Sequence, residues 1–376
     1  MPDTIAIIGA GPGGLTLARI LHVHGIAATI LELDDGPASR GQGGSLDLHA
    51  DSGLRALELA GLTAAFERAA RYDDQDVYVY AASGALLYDE VGAGGGRPEI
   101  DRAELRRILL DSLPAGAIEW GRRVSSVEPV GSGARVHFAD GASRDFALVV
   151  GADGTWSRVR PALTDARPAY TGVAFVELEL TDFDARHPDL VPLVPHGKLL
   201  AIGGRKTIIA QRSSNSVMRV YVAQQIAEAD ARQLATRPAS AIKQALLHEH
   251  SDWAPQLRAF IERADDRALV LPICALPIGH AWPQRRGITL LGDAAHVMSP
   301  FAGEGVNNAM RDAFELALAI AGGGIAAVAR YEAAMFERIV ETARESAAGL
   351  DIAMAEDAAP RMVALMRSHH PDPARR

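Results

Sequence analysis

The 376-residue chain has one cysteine, Cys274, so it cannot close a disulfide within itself. That cysteine lies in the apolar run 270–276 and reads as a core residue. No basic block appears before the terminal Arg375-Arg376, and 38 basic against 47 acidic side chains leave a formal net charge of −9. Both facts argue against a nucleic-acid partner. No apolar run is long enough to cross a membrane, and the opening residues lack a basic leader, so a soluble, cytoplasmic protein is expected. Histidines pair at 22/24, 248/250 and 369/370, but no cysteine or acid completes a metal set, and no metal is expected. A Gly-x-Ser-x-Gly nucleophile elbow, an internal repeat and a low-complexity segment are all missing. What remains is ordinary globular composition, 48% hydrophobic and 23% charged, at a length comfortable for two domains.

The first positive signal is at the start. Thr4-Ile-Ala-Ile-Ile8 is a short apolar strand, followed at once by Gly9-Ala-Gly11-Pro-Gly-Gly14 and a helical run that Gly25 can stop. A second strand, Ala28-Thr-Ile-Leu-Glu32, ends in an acid twenty-one residues after Gly11. Strand, glycine turn, helix and acid at that spacing describe a dinucleotide site. Gly9 allows the turn, Gly11 lets the backbone approach a pyrophosphate, Gly14 lets helix pack on strand, and Glu32 accepts from a ribose. The fingerprint alone does not separate NAD from FAD.

The second signal is nearly three hundred residues away. Residues 289–308 read as a buried strand, an acidic turn at Asp293, a Pro-Gly loop and a helix start at Gly305. An acid at a strand end can accept from a ribityl hydroxyl, or it can simply cap its own turn. A glycine-rich helix start directs unpaired N–H groups and partial positive charge outward, which suits a reduced flavin with negative charge over N1. His296 in this stretch reads as a packed loop histidine rather than a proton shuttle.

Between the two signals lie a glycine-rich loop at 34–49 carrying Arg40 and Asp47, a helix at 52–60, a strand pair in 77–88 and a flexible loop at 92–96. Asp101 caps an amphipathic helix at 101–113, and strands follow around 118–128, 134–138 and 144–150. The last strand runs into Gly151-Ala-Asp153-Gly154-Thr-Trp-Ser157-Arg-Val-Arg160. From about 171 to 270 longer alternating strands suggest a separate sheet layer, with a helix near 238–250. Helices at 305–321 and about 325–357 finish the chain, the latter patterned on Val328, Tyr331, Met335 and Ile339, and the tail after Pro360 is expected to fray. Arg212, Arg219 and Tyr221 lie on alternating strands and either line a pocket or face solvent.

Three motifs, at 9–14, 151–160 and 292–300, together resemble the FAD-dependent aromatic hydroxylase superfamily, the para-hydroxybenzoate hydroxylase-like monooxygenases, over nearly the whole chain. Gly43-Gly-Ser-Leu-Asp-Leu-His49, Pro98-Glu-Ile-Asp-Arg-Ala-Glu-Leu-Arg106 and Pro300-Phe-Ala-Gly-Glu-Gly-Val-Asn307 look most like its tetracycline-inactivating members. The resemblance implies an α/β fold: a Rossmann-like FAD-binding domain at 1–72, 98–170 and 268–322, with an inserted sheet-based substrate domain at 73–97 and 171–267. A C-terminal bridging helix and tail would occupy 323–376. It also implies that Arg40, Asp47, Arg102, Asp153 and Asp293 contact FAD, with Pro300, Gly303, Gly305 and Val306 along the flavin. NADPH would be a transient co-substrate without a fingerprint of its own.

At the positions where tetracycline-inactivating enzymes present a glutamine, an arginine, a phenylalanine and a histidine, this sequence has Glu177, Lys198, Ala210 and Arg219. With Arg212, Tyr221 and Phe301, the charged three form the expected substrate set. The implied reaction inserts one atom of O₂, through a flavin C4a-hydroperoxide, into a phenolic or polycyclic substrate. No catalytic acid or base is named, because the flavin carries the chemistry. Antibiotic inactivation by a monomeric enzyme is the leading expectation, and polyketide tailoring is close behind. A flavin reductase that never transfers oxygen and a non-catalytic scaffold are the rivals. No WxWxIP string supports a halogenase.

Overall fold

The computed structural model describes residues 4–39, 43–92 and 96–369. The chain divides into two compact units, Met1–Ala70 with Arg102–Ala169 and Cys274–Ser346, and Arg71–Asp101 with Tyr170–Ile273 and Ala347–Arg376.

The first unit is built on a five-stranded sheet ordered Ile288–Leu290, Leu148–Gly151, Ile5–Ile8, Ala28–Leu31, Ile118–Glu119, parallel throughout. Strand Ile5–Ile8 sits at its centre and is buried at every residue, as a strand covered on both faces must be. Helix Pro12–Val23 buries Leu15, Leu17, Ile20 and Leu21. It packs on helix Gly305–Gly323, where a Cβ on Gly13 would stand 3.1 Å from the Ala309 carbonyl oxygen. A three-stranded antiparallel sheet, Val124–Val130, Gly133–Phe138 and Ser143–Phe146, accompanies them.

The second unit is a seven-stranded sheet ordered Leu269–Ala275, Ala169–Leu180, Val217–Gln225, Lys206–Ser213, Lys198–Gly203, Val77–Ala81, Leu86–Glu90. One face carries Val176, Leu178, Met218, Val220, Ile208, Ala210 and Leu199 into a core shared with Phe183, Leu246, Leu257 and Phe260. Because side chains alternate along a strand, the other face carries the odd-numbered residues of the 169–180, 206–213 and 217–225 strands.

Several expected elements differ. The expected C-terminal stretch from 323 is divided between the two units after Ser346. Val328, Tyr331, Met335 and Ile339 are all buried, and the Tyr331 hydroxyl donates to the Leu290 carbonyl at 2.9 Å, so the part up to Ser346 belongs to the first unit. Residues from Ala347 on belong to the second, where the Thr207 hydroxyl donates to the Ala353 carbonyl. Helix Val328–Ala353 is followed by helix Ala358–His369, so residues 361–369 are helical rather than frayed, and the rest of the tail lies outside the described residues. Pro360 falls in the first turn of that helix, where its missing N–H costs nothing. Asp101 stands directly before helix Arg102–Asp111, at the expected cap position, and has further duties. It ends strand Glu99–Asp101, and its carboxylate accepts from Arg71 Nη1 at 2.7 Å and from the Ser214 N–H. Cys274 is half-buried rather than a full core residue.

Candidate functional site

In the first unit the dinucleotide fingerprint divides into glycines the protein needs for itself and one it does not. Gly9 has φ +107°, and a Cβ there would lie 2.5 Å from the Ala152 carbonyl oxygen. A Cβ on Gly14 would lie 2.2 Å from the Gly9 carbonyl oxygen, which is closer than any side chain tolerates. Gly11 differs. Its φ is −77°, and a Cβ there would meet nothing within 4 Å. It stands at the N-cap of helix Pro12–Val23, which has no side-chain cap among the described residues. The space beside Gly11 at this helix start is therefore open, as the approach of a diphosphate requires.

Gly305 repeats the pattern. It opens helix Gly305–Gly323, that helix likewise has no side-chain cap, and a Cβ on Gly305 meets nothing within 4 Å. The preceding turn, Pro300–Ala302, ends on Gly303 at φ +71°. Pro300, Gly303 and Gly305 are exposed, while Phe301 and Val306 are half-buried. Sequence reasoning missed the residue that anchors this helix start. Asn307 is fully buried. Its Oδ1 accepts from the His49 N–H at 3.0 Å and from the Ser52 hydroxyl and Gly53 N–H at 3.3 Å. Its Nδ2 donates to the Asp47 carbonyl at 2.9 Å. One amide thus fixes residues 47–53 against the helix start and places Asp47 there. An Asn just inside a helix has no outward mark in a single sequence.

Asp293 follows strand Ile288–Leu290 and stands at the start of the short helix Asp293–His296. Its side chain is accessible at the surface but sits in a recess. Loss of water raises its pKa, against the lowering effect of His296, Arg102 and Arg160. Thr155 is 3.5 Å from Asp293 Oδ2. Arg160, buried, donates to the carbonyls of Ala294 at 2.9 Å and Thr155 at 2.6 Å, so it ties the 151–160 loop to the acidic turn. Burial lowers the Arg160 pKa, as expected of a guanidinium spent on carbonyls. Arg102 is exposed, and its N–H holds the Gly44 carbonyl at 2.9 Å.

Two expected cofactor contacts have local duties. Asp153 Oδ2 accepts the Arg158 N–H at 2.6 Å, and burial raises its pKa against the hydrogen bonds it accepts; it organises its own loop. The Glu32 carboxylate accepts the Ala10 N–H and, at 2.9 Å, the Asp34 N–H, so it braces the glycine turn. Arg40 lies outside the described residues.

Behind the acidic turn lies a buried charge network. Asp312, fully buried, accepts the Gly292 N–H at 2.8 Å, His296 Nε2 at 2.5 Å and Arg338 Nη2 at 2.8 Å. Burial pushes its pKa up, but the His296 and Arg338 charges prevail and hold it below the usual carboxylate value. His296 is therefore packed against Asp312 at the end of the short helix and fixes the 292–296 turn.

In the second unit the sheet face opposite its core gathers most of the expected substrate set, its side chains half-buried. Glu177 lies opposite Tyr221, Glu179 and Gln211 opposite Arg219, and Lys198 opposite Gln211. Arg219 Nη1 is held between Glu177 at 2.7 Å and Glu179 at 2.9 Å. Gln211 Nε2 donates to the buried Glu99 carboxylate at 3.1 Å. Strand parity puts Ala210 and Arg212 on the opposite face. Ala210 is fully buried in the opposite face. Arg212 also points to that side, where it lies over the Phe183 ring at 5.3 Å, donates to the Val194 carbonyl and pairs with Asp184 at 2.9 Å.

Among the described residues no helix is long and apolar enough to cross a membrane, and no group of three acids, histidines or cysteines is placed to hold a metal.

Comparison with known proteins agrees with this geometry. The family described as FAD binding domain matches residues 3–338. Monooxygenase asqM of Emericella nidulans is 31% identical, over 83% of this chain and 82% of its own. The 3-amino-4-hydroxybenzoate 2-monooxygenase PtmB3 of Streptomyces platensis is 31% identical, over 91% of this chain and 86% of its own. The crystal structure of tetracycline destructase Tet(51) superposes with a TM-score of 0.72 at 19% identity, covering 98% of this chain and 96% of that one. The last likeness speaks to fold alone.

Proposed function

This chain belongs to the FAD-binding-domain family and is an FAD-dependent monooxygenase of the aromatic-hydroxylase type, and on that premise we propose its reaction and its residues. NADPH, O₂ and a proton are consumed with an electron-rich phenolic or polycyclic substrate, giving NADP⁺, water and a product one oxygen richer. FAD, when bound, supplies the redox chemistry by passing the two electrons of NADPH to O₂.

The chain's own part is binding and electrostatics. The N–H groups beyond Gly11 receive the diphosphate, and Asp47 and Asp293 accept from the ribityl chain. The helix start at Gly305, with Pro300, Gly303 and Val306 before and beside it, offers positive potential to an anionic reduced ring. Arg102, close enough to depress the Asp293 pKa, adds cationic charge there. On the sheet face of the second unit Glu177, Lys198, Arg219 and Tyr221 bind the substrate's polar edge.

One observation carries the reading. Two uncapped helix starts each have a glycine, Gly11 and Gly305, that neither backbone angle nor packing requires. Both leave room where a cofactor's charged and ring portions need backbone contact. A tetracycline-like drug is the leading candidate substrate, because the 43–49, 98–106 and 300–307 strings resemble the tetracycline-inactivating members.

Mass spectrometry of tetracycline, and separately of simple aminophenols and phenols, with FAD-loaded protein, NADPH and ¹⁸O₂ tests the proposal. One labelled oxygen in a product identifies the substrate class. NADPH oxidation with every candidate unlabelled, and all O₂ recovered as peroxide, would show a reductase instead.

A further inference from the structure

We infer that His49 is a positioning residue for the flavin: a doubly paired imidazolium that holds the Glu304 carboxylate away from the helix start at Gly305. The inference rests on the assignment of Asp47 and residues 300–305 to the flavin made above.

Both nitrogens of the His49 ring face carboxylates. Nε2 lies 3.2 Å from Asp47 Oδ2, and Nδ1 lies 3.2 Å from Glu304 Oε1. A neutral imidazole has one N–H and one lone pair, so it would turn the lone pair on one of the two carboxylates. Only the imidazolium donates to both. Burial disfavours that charge, but the hydrogen bonds to Asp47 and Glu304 and their charges outweigh it and raise the pKa to about 9. The ring cannot drift, because Asn307 holds the His49 backbone N–H at 3.0 Å. Other charges on the surrounding elements are paired elsewhere. Asp51 lies 3.2 Å from Arg311, Arg311 lies 2.8 Å from Glu315, and Arg55 pairs with Glu58 on the exposed side of helix Gly53–Leu59.

The consequence concerns Glu304. It is the N-cap residue of helix Gly305–Gly323, one position from the unpaired N–H groups. The helix dipole draws a free carboxylate at that position onto those groups. Glu304 would then occupy the positive potential that a reduced flavin needs. Yet it makes no capping hydrogen bond, and its carboxylate is on His49 instead. His49 thereby keeps the helix start open, and through Asp47 it couples that state to the ribityl side of the site.

FAD titration of apoprotein reads this out without turnover. His49→Gln is expected to weaken FAD about tenfold, the effect of losing a charge-assisted hydrogen bond, and to make the flavin midpoint potential more negative. Far-UV circular dichroism should not change. Adding Glu304→Gln to that variant removes the competing carboxylate and is expected to recover most of the loss. In the wild type FAD affinity stays level to about pH 8 and falls as His49 loses its proton near pH 9; His49→Gln lacks that break. Wild-type affinity in His49→Gln with the break still present overturns the inference. So does a double variant no better than the single one, which would mean that His49 acts by packing. Should His49→Gln not fold, Glu304→Gln alone must move the break to lower pH, and an unmoved break sinks the idea. Asp293→Ala separates the inference from its premise: weakened FAD there with none of these effects in the His49 variants discards His49 and keeps the cofactor site. Retention in both discards both.

Discussion

The two regions proposed for cofactor and substrate are written in different alphabets. In the first unit the cofactor region is specified through the backbone: glycines at 9, 11, 14, 303 and 305, two uncapped helix starts, and buried residues that aim them. In the second unit the sheet face opposite the core is specified through side chains on fixed strands, with Glu177, Glu179, Arg219, Tyr221, Gln211 and Lys198 in register. A backbone-built site tolerates almost no change, because a single Cβ closes it. A side-chain-built face can be rewritten residue by residue while its strands stay the same.

The sharpest test of the contrast lies within one motif. Gly14→Ala places a Cβ 2.2 Å from a backbone oxygen. It is expected to cost about 3 kcal/mol or more and to abolish FAD retention. Gly11→Ala meets nothing in the protein and should leave the apoprotein melting temperature unchanged while weakening FAD about a hundredfold. Equal loss of stability in both variants would remove the distinction between glycines kept for packing and glycines kept for the ligand.

Next in size is Asp312→Ala. It leaves His296 and Arg338 without their buried counter-charge, a change worth about 3–5 kcal/mol in urea unfolding. The wild-type pH dependence has a fixed sign. The Asp312 pKa is lowered from 3.8, so its contribution is complete above that value and is lost only as pH falls through the lower, folded one. A variant as stable as the wild type would reduce the network behind the acidic turn to incidental packing.

How much of this was legible depends on the same division. The strand–glycine–helix unit, the 292–305 stretch and helix Gly305–Gly323 follow from local pattern, because turn chemistry and periodicity act over a few residues. Asn307 and Arg160 are just as important to the site, but each works by reaching backbone carbonyls or amides distant in sequence, and nothing in the neighbouring residues marks that. Glu32 and Asp153 sit where a cofactor contact is expected and spend hydrogen bonds on their own loops, a duty visible only once the chain is folded. On the sheet, strand parity decides: a one-residue step separates Gln211, which faces Arg219, from Arg212, which does not.

Arg219 and Arg212 are the pair on which the reading of the sheet face can be broken most economically. Arg219→Met removes the cation between Glu177 and Glu179, leaving two carboxylates to repel. With the substrate identified by oxygen labelling, KM is expected to rise about tenfold while FAD affinity is unchanged. Arg212→Met is expected to do the opposite at smaller scale. Its carbonyl bond and its half-exposed pair with Asp184 are worth about 1 kcal/mol of stability, and KM should not move. The methionine keeps the apolar cover over Phe183, so the measured loss reports the polar contacts alone. If Arg212→Met raises KM as much as Arg219→Met, strand parity is not what selects the substrate-facing residues, and the Arg219 face loses its claim to that role.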